Sequence, residues 1–311
     1  MPSPYGIIDI GTLKVKCLIG SFTLDEGFHE IYSSNVLTCF GCEMDQNDGY
    51  ILEQNIHKTI EELKRCLTLF NDHHVVKSTI VATHALRRAK NREEITQRIY
   101  DETNQEVTII SPEQEALLFF DAVMFDFPHD RDYVVLDMGG GSVQILVGNP
   151  LTLQDTYMIQ SGAQFLHDNF THDSSNPDSF TTQQDHQKIK EYILDTLQTV
   201  IPRKGLPLVY GSSNIIDLMK HIDMPLEGYE HSRAHPHKIT PHHLQVFISR
   251  MLPLPYKKRE ELYPFQSGYM WGIDKAFLTV LTVVSHFESP YIIPSNANIA
   301  KGLIVKMAKK H

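Results

Sequence analysis

At 311 residues, 41% hydrophobic and 21% charged, the chain has the composition of a soluble globular protein and is long enough for two lobes with a core each; disordered, fibrous and disulfide-stapled classes are excluded. No run approaches the roughly 18 apolar residues of a membrane span, and a net charge of −10 excludes a surface that attracts nucleic acid or other polyanions as a whole. A phosphate-rich ligand would have to be received by a local basic patch.

The first third alternates strand and helix signals. Tyr5-Gly6-Ile7-Ile8 is an apolar strand that runs into Asp9-Ile10-Gly11-Thr12, and 13–19 continues as its hairpin partner. Residues 28–40 read as one or two strands. A helix is predicted over 53–70, where Ile56, Ile60, Leu63, Leu67 and Phe70 recur at helical spacing. A strand over 75–81, a helix over 92–103, a strand over 107–110 and a helix over 112–125 follow. Ser111 is the expected N-cap of that last helix, with Pro112 at its first position. The polar join 125–131 is the expected lobe boundary, giving lobes 1–126 and 127–311.

The second lobe repeats the theme. Strands are predicted over 133–136, 143–147 and 151–159, and helices over 162–170 and 185–201. A strand over 206–210 precedes helices over 212–221, 240–250, 272–286 and 297–309. The 272–286 helix is apolar enough to be buried, and the last helix is expected to pack back on the first lobe. Residues 172–182, rich in Ser, Asn, Asp and Pro, read as a mobile loop. The segment 1–4 leads straight into the first strand and leaves no room for a signal peptide, so a cytoplasmic location is expected. Four cysteines, Cys17, Cys39, Cys42 and Cys66, fit a reducing compartment.

The chemistry concentrates at two hairpins. In the second lobe, Asp137-Met138-Gly139-Gly140-Gly141-Ser142 joins two apolar runs. A tip with no side chains lets a ligand approach the backbone and leaves N–H groups to point at an anion. The first hairpin, Asp9 to Thr12, has the same order of strand, Asp, Gly and hydroxyl residue. One such tip is an ordinary turn, and its Asp an ordinary turn cap. Two matched copies instead describe a phosphate site: Gly11, Thr12, Gly139, Gly140, Gly141 and Ser142 as donors, and Asp9 and Asp137 for Mg²⁺, which takes one or two protein carboxylates and keeps its waters.

This arrangement resembles the actin, sugar-kinase and heat-shock-ATPase superfold. Within it, the chain resembles the exopolyphosphatase / guanosine pentaphosphate phosphohydrolase family. The closer likeness rests on the second hairpin and two further segments. One is Ile80-Val81-Ala82-Thr83-His84-Ala85-Leu86-Arg87-Arg88-Ala89; the other is Glu106-Val107-Thr108-Ile109-Ile110-Ser111-Pro112-Glu113-Gln114-Glu115-Ala116. The resemblance implies an α/β fold of two actin-like (ribonuclease-H-like) lobes, each a mixed sheet flanked by helices, with a cleft between them. It implies Mg²⁺-dependent release of terminal orthophosphate from inorganic polyphosphate or guanosine pentaphosphate, and a homodimer as a common state. Glu115 is then the general base or water-orienting residue, Arg87 the phosphate grip, and Asp137 a catalytic carboxylate. Without the resemblance, Glu115 would read as an acidic residue complementing a helix dipole. Actin-like ATPases also place a lysine on the first hairpin; Lys14 or Lys16, which share a face of the strand, could fill that role or remain solvated.

The chain departs from the family pattern at several positions. Leu13 and Lys14 stand where Asn and Ser are usual, and Gln144 where Glu is common. The later glycine motifs read Gly211-Ser212-Ser213-Asn214-Ile215 and Asn298-Ile299-Ala300-Lys301-Gly302. These changes support an alternative, a catalytically weakened polyphosphate- or nucleotide-binding sensor, while a kinase of the same superfold fits less well because Glu115 implies water activation. Among basic clusters, 87–92 is favoured for the site; 203–204, 257–259 and 301–310 read as solvated surface charge. Cys39-Phe40-Gly41-Cys42 lacks the second ligand pair of a structural zinc site. The histidines from His231 to His243 read as a polar loop leading into a helix, and Trp271 as packing.

Overall fold

The strand that carries Asp9 is buried along its whole length, and a sheet forms around it. β1 (Tyr5–Ile10) is flanked on one side by β2 (Lys14–Thr23) and β3 (Gly27–Leu37), both antiparallel to their neighbours. After α1 (Glu53–Asp72), β4 (Lys77–Ala82) pairs parallel to its other side, followed by α2 (His84–Arg88), α3 (Arg92–Thr103), β5 (Val107–Ile109) and α4 (Pro112–Met124). The resulting order is β3-β2-β1-β4-β5. The structure, a computed structural model, describes all residues except 1, 24–26, 177, 213, 267 and 309–311. Ser213, Lys309 and Lys310, named above, therefore lie outside the described residues.

The second unit repeats this topology. β6 (Tyr133–Met138), β7 (Val143–Asn149) and β8 (Thr152–Ile159) form an antiparallel meander, followed by α5 (Ala163–Phe170) and α6 (Gln183–Thr196). β9 (Leu208–Gly211) then pairs parallel to β6. α7 (Ile215–His221), the short ribbon β10 (Glu227–Gly228) and β11 (His237–Lys238), α8 (Pro241–Met251), α9 (Tyr256–Leu262) and α10 (Ile273–Phe287) lead to β12 (Ile292–Ser295), parallel to β9. The order β12-β9-β6-β7-β8 is that of the first sheet, strand for strand. Two mixed five-stranded sheets flanked by helices agree with the expected fold class.

Local signals place most of these elements. Ser111 Oγ accepts from the Gln114 N–H at 3.2 Å, and Gln114 Oε1 accepts from the Ser111 N–H at 3.1 Å, a capping box that starts α4 after Pro112. Thr240 caps α8 by accepting from the His243 N–H. α3 stops at Asn104, whose φ of +54° ends the helix. Four elements escaped the sequence reading: the two-residue strands β10 and β11, β12 and α9. β12 contains Pro294, which argues against a strand but is tolerated at the edge of a sheet. α9 is short, and its sequence Tyr-Lys-Lys-Arg-Glu-Glu-Leu shows no apolar periodicity.

The compact units are Met1–Ala122 with Asn298–His311, and Val123–Ala297. α11 (Ile299–Ala308) falls in the first of them and packs on β1 and β2, as expected for the terminal helix. Two expectations need correction. First, described residues of 172–182 are tied down: Thr181 Oγ1 donates to Asp274 Oδ2, the Lys257 N–H donates to Asp178 Oδ1 at 2.8 Å, and Thr182 caps α6. Second, Arg259 is not solvated. It is buried on Asp274, with Nη1 donating to Oδ1 at 2.7 Å and Lys275 Nζ on the same carboxylate at 3.2 Å. Burial pushes the Asp274 pKa up, but Lys275 and Arg259 outweigh it and hold the carboxyl well below the usual range.

The return of α11 depends on one glycine. A Cβ on Gly302 would lie 2.2 Å from the carbonyl oxygen of Leu118 on α4, the helix that carries Glu115. Gly302→Ala is therefore expected to destabilise the protein by about 1–3 kcal/mol through backbone displacement, despite the helix propensity gained, as measured by urea unfolding.

Candidate active site

Both predicted hairpins form, and both are held by their carbonyls. In the first unit, the Gly11 N–H donates to Lys14 O at 3.0 Å and closes the tip. The Thr12 carbonyl accepts from the Gly41 N–H at 2.8 Å, and the Leu13 carbonyl accepts from the N–H groups of Thr38 and Cys39 at 3.2 and 2.9 Å. The N–H groups of Thr12 and Leu13 donate to no acceptor among the described residues. The segment carrying Cys39-Phe40-Gly41-Cys42 thus braces the tip from behind. Gly41 is needed there, because a Cβ would lie 2.8 Å from both Thr12 Cγ2 and Ala85 Cβ.

The second tip is built the same way with different parts. The Gly139 N–H donates to Ser142 O at 3.1 Å. Its carbonyls point into the start of α5: the Ala163 N–H donates to Gly139 O at 3.3 Å, and the Gln164 and Phe165 N–H groups donate to Gly140 O at 2.8 and 3.1 Å. The N–H groups of Gly140, Gly141 and Ser142 donate to no acceptor among the described residues. Gly162 allows the close approach, since its Cβ would fall 2.3 Å from Gly140 O. The helix N-terminus is thus spent on the tip's carbonyls, and the tip's own amides are the donors left for an anion.

Arg87 and Glu115 meet in the first unit. Arg87 Nη1 donates to Glu115 Oε2 at 3.1 Å and to the carbonyl of Ile110 at 2.7 Å, with both side chains largely buried. The end of β5 and the capped start of α4 bring the pair together from 28 residues apart. Neighbouring Arg88 turns away to Asp45 at 2.9 Å. Glu113 is fully exposed, and a hydrogen bond with Ser111 holds its carboxyl below the usual range, so it serves the helix start.

Asp9 is 2% exposed at the end of β1. The β1–β2 register sets it opposite Lys16, whose Nζ lies 3.7 Å from Oδ2, while Oδ1 has no hydrogen-bond partner among the described residues. Burial raises its pKa, with Lys16 opposing. A buried carboxylate with one oxygen orphaned fits a cation such as Mg²⁺. Lys16, rather than Lys14, is the lysine on this carboxylate; strand alternation alone could not choose between them. Lys14 accepts from Gly11 through its carbonyl and pairs with Leu37 on β3. Asp137 lies near the end of β6, opposite Gln144 on β7, which is buried. No group of three or more His, Cys, Asp or Glu residues that could hold a metal occurs among the described residues. Of the other altered positions, Ala300 is buried, and Asn214 adopts a left-handed φ of +60° as α7 begins.

Sequence reasoning missed Lys16 as the partner of Asp9, Gly41, Gly162 and the α5 amides. Gly162, just ahead of a helix and following a strand, carried the available signal. His84 is another. Buried next to Thr83, its pKa is pushed down to about 4 by burial, then by Arg88 and Arg87. His167 on α5 is likewise pushed down to about 4 by burial and Lys275.

A match to the model of the Ppx/GppA phosphatase family spans residues 25–311. The chain belongs to this family. It is 22% identical over 311 residues to a bifunctional 3-dehydroquinate synthase/phosphatase of Fusobacterium nucleatum, covering 96% of this chain but only 46% of that relative's length. It is 22% identical over 270 residues to exopolyphosphatase 2 of Mycobacterium tuberculosis, covering 84% of this chain and 83% of the other. In structure it resembles an exopolyphosphatase from Cytophaga hutchinsonii, with a TM-score of 0.81 at 20% identity over 99% of this chain and 98% of the other. The Aquifex aeolicus member of the Ppx/GppA family matches at a TM-score of 0.77 and 23% identity, with 99% and 98% of the two chains covered. These likenesses establish a shared fold.

Gly162→Ala is expected to displace the second tip and speed amide hydrogen exchange of 163–165, whose N–H groups hold the tip's carbonyls, by at least about tenfold, equal to about 1.4 kcal/mol. The two buried histidines predict a pH effect. Their folded pKa values lie below the ordinary 6.5, so the unfolded chain takes up protons first and stability falls as pH drops from about 6.5 towards 4. His167→Gln should remove about 2 kcal/mol of the loss between pH 7 and 4.5, read from urea unfolding at both pH values.

Proposed function

We propose that the chain is a Mg²⁺-dependent phosphoanhydride hydrolase that releases terminal orthophosphate from inorganic polyphosphate, guanosine pentaphosphate or both. The observation that carries this reading is the Arg87–Glu115 pair, a carboxylate held in place by a guanidinium that is itself anchored on a main-chain carbonyl. Names of relatives add support: exopolyphosphatase in Mycobacterium tuberculosis and guanosine-5'-triphosphate,3'-diphosphate pyrophosphatase in Pseudoalteromonas atlantica.

In this mechanism Glu115 accepts a proton from the attacking water, whose oxygen bonds to the terminal phosphorus. The bond from that phosphorus to the bridging oxygen breaks, and the shortened chain leaves with the negative charge. Charge developing on the phosphoryl oxygens is met by the amides of Thr12, Leu13, Gly140, Gly141 and Ser142, the hydroxyls of Thr12 and Ser142, and the cationic Lys14. Arg87 keeps Glu115 oriented and offers its remaining N–H groups to phosphate. Asp9 and Asp137 would hold Mg²⁺, which when bound neutralises phosphate charge. Among the described residues no helix is long and apolar enough to cross a membrane.

Orthophosphate release with Mg²⁺ from long polyphosphate, tripolyphosphate and guanosine pentaphosphate tests the proposal. Release from at least one is expected, with kcat lowered about 100- to 10,000-fold in Glu115→Gln. No release from any of the three, with tripolyphosphate still bound, would overturn the hydrolase and favour a sensor.

A further inference from the structure

The segment from Thr38 to Ile51 is a strap. At its start, Thr38, Cys39 and Gly41 hold the carbonyls of the first phosphate hairpin. Farther along it is fastened to the α2–α3 region. Arg88 pairs with Asp45 at 2.9 Å, the Lys90 N–H donates to Gly49 O at 2.9 Å, and the Asn91 side chain bonds both the N–H and the carbonyl of Ile51. Three non-glycine residues of the strap, Cys39, Glu43 and Asp48, have left-handed φ of +52°, +60° and +52°. Such conformations persist where the surroundings enforce them, and they concentrate at functional sites.

Cys39 and Cys42 bracket the turn that performs the bracing. The Cys42 N–H donates to the Cys39 carbonyl at 3.0 Å, the hydrogen bond of a four-residue turn. Such a turn holds its first and last Cα atoms within about 7 Å, which overlaps the range of roughly 4.4–6.8 Å that a disulfide spans. Cys39 is partly exposed. The other two cysteines, Cys17 and Cys66, are 1% and 0% exposed, so a small oxidant in solution reaches the strap pair first. Between the strap thiols, Phe40 is wholly buried in the core and anchors the turn.

We propose that Cys39 and Cys42 form a thiol–disulfide site, oxidised by hydrogen peroxide or a peroxide of its class, that controls the first phosphate hairpin. The thiolate of Cys39 attacks one peroxide oxygen; the O–O bond breaks, a sulfenic acid forms and one water is released after protonation. The Cys42 sulfur then displaces the sulfenic oxygen, forming the S–S bond and releasing the second water. Two thiols are oxidised by two electrons in total, and one peroxide is reduced to two waters. Drawing the sulfurs into bonding distance turns the peptide units between them. With Phe40 fixed in the core, the movement falls on the N–H groups of Cys39 and Gly41, which release Leu13 and Thr12. The effect on phosphate rests on the proposed function; the disulfide and the loosened tip do not.

The test uses the full chain, reduced or treated with hydrogen peroxide, with peptide mapping by mass spectrometry, amide hydrogen exchange and tripolyphosphate binding by calorimetry. The expected result is a Cys39–Cys42 bond, faster exchange over 11–14, and affinity weakened about tenfold, all reversed by dithiothreitol. Cys39→Ser and Cys42→Ser should each keep the reduced behaviour under peroxide. The proposal is overturned if Cys17–Cys66 forms instead, if no disulfide forms, or if it forms with exchange over 11–14 unchanged. A disulfide with faster exchange, in a protein whose reduced form hydrolyses none of the phosphoanhydrides, would support the redox site and remove the hydrolase reading.

Discussion

An amide can be offered to an anion only if its peptide's carbonyl is satisfied somewhere else, and that constraint organises both glycine-bearing hairpins. A tip exposing N–H groups also exposes C=O groups, and leaving them buried and unpaired would cost about 1–3 kcal/mol each. The first unit meets the requirement with amides from a strap, the second with the opening turn of α5. Neither solution leaves room for a Cβ: on Gly162 it would meet the main chain of Gly140 and Gly141, and on Gly41 the side chains of Ala85 and Thr12. The surrounding sheets serve the same end. β1 and β6 are central, with strands on both sides, so each tip leaves a part of the fold that cannot shift without breaking two ladders.

Charge is handled by the same logic. Asp9, Glu115 and Asp274 are each largely or wholly buried, and each has a cation within reach: Lys16, Arg87, and the Arg259–Lys275 pair. The quality of the match differs. Asp274 has two cations and a hydroxyl, and its carboxyl is held far into the ionised range, as suits an anchor for α10 and the segment before α6. Asp9 has one lysine at 3.7 Å and an orphaned oxygen, and burial prevails over its partner. The contrast separates a carboxylate whose oxygens are both paired from one with an oxygen left without a hydrogen-bond partner among the described residues.

The positions that depart from the family pattern either act at the first tip through main-chain atoms or lie away from both tips; the Lys14 carbonyl, for one, accepts from the Gly11 N–H. Leu13 contributes its carbonyl to the brace, which any residue could do. Ala300 is buried within α11, and Asn214 occupies a left-handed position that asparagine tolerates. Gln144 is the exception, since it sits directly across the ladder from Asp137.

Much of the fold was legible in the chain alone, because strands and helices here follow local rules. The apolar runs at 5–10 and 133–138, the helical spacing in 53–72, and the caps at Ser111 and Thr240 each act within a few residues. The two Asp-x-Gly hairpins were visible for the same reason, and Arg87 and Glu115 only through a family likeness. What the chain could not reveal was set by distant segments meeting. Lys16 rather than Lys14 reaches Asp9 because of the register of β1 on β2, and Arg259 is buried because Asp274 lies against it. Local sequence determines which residues can turn, cap or alternate. Which buried charge finds a partner, and which carbonyl finds a donor, depends on residues far apart in the chain, and only packing brings those together.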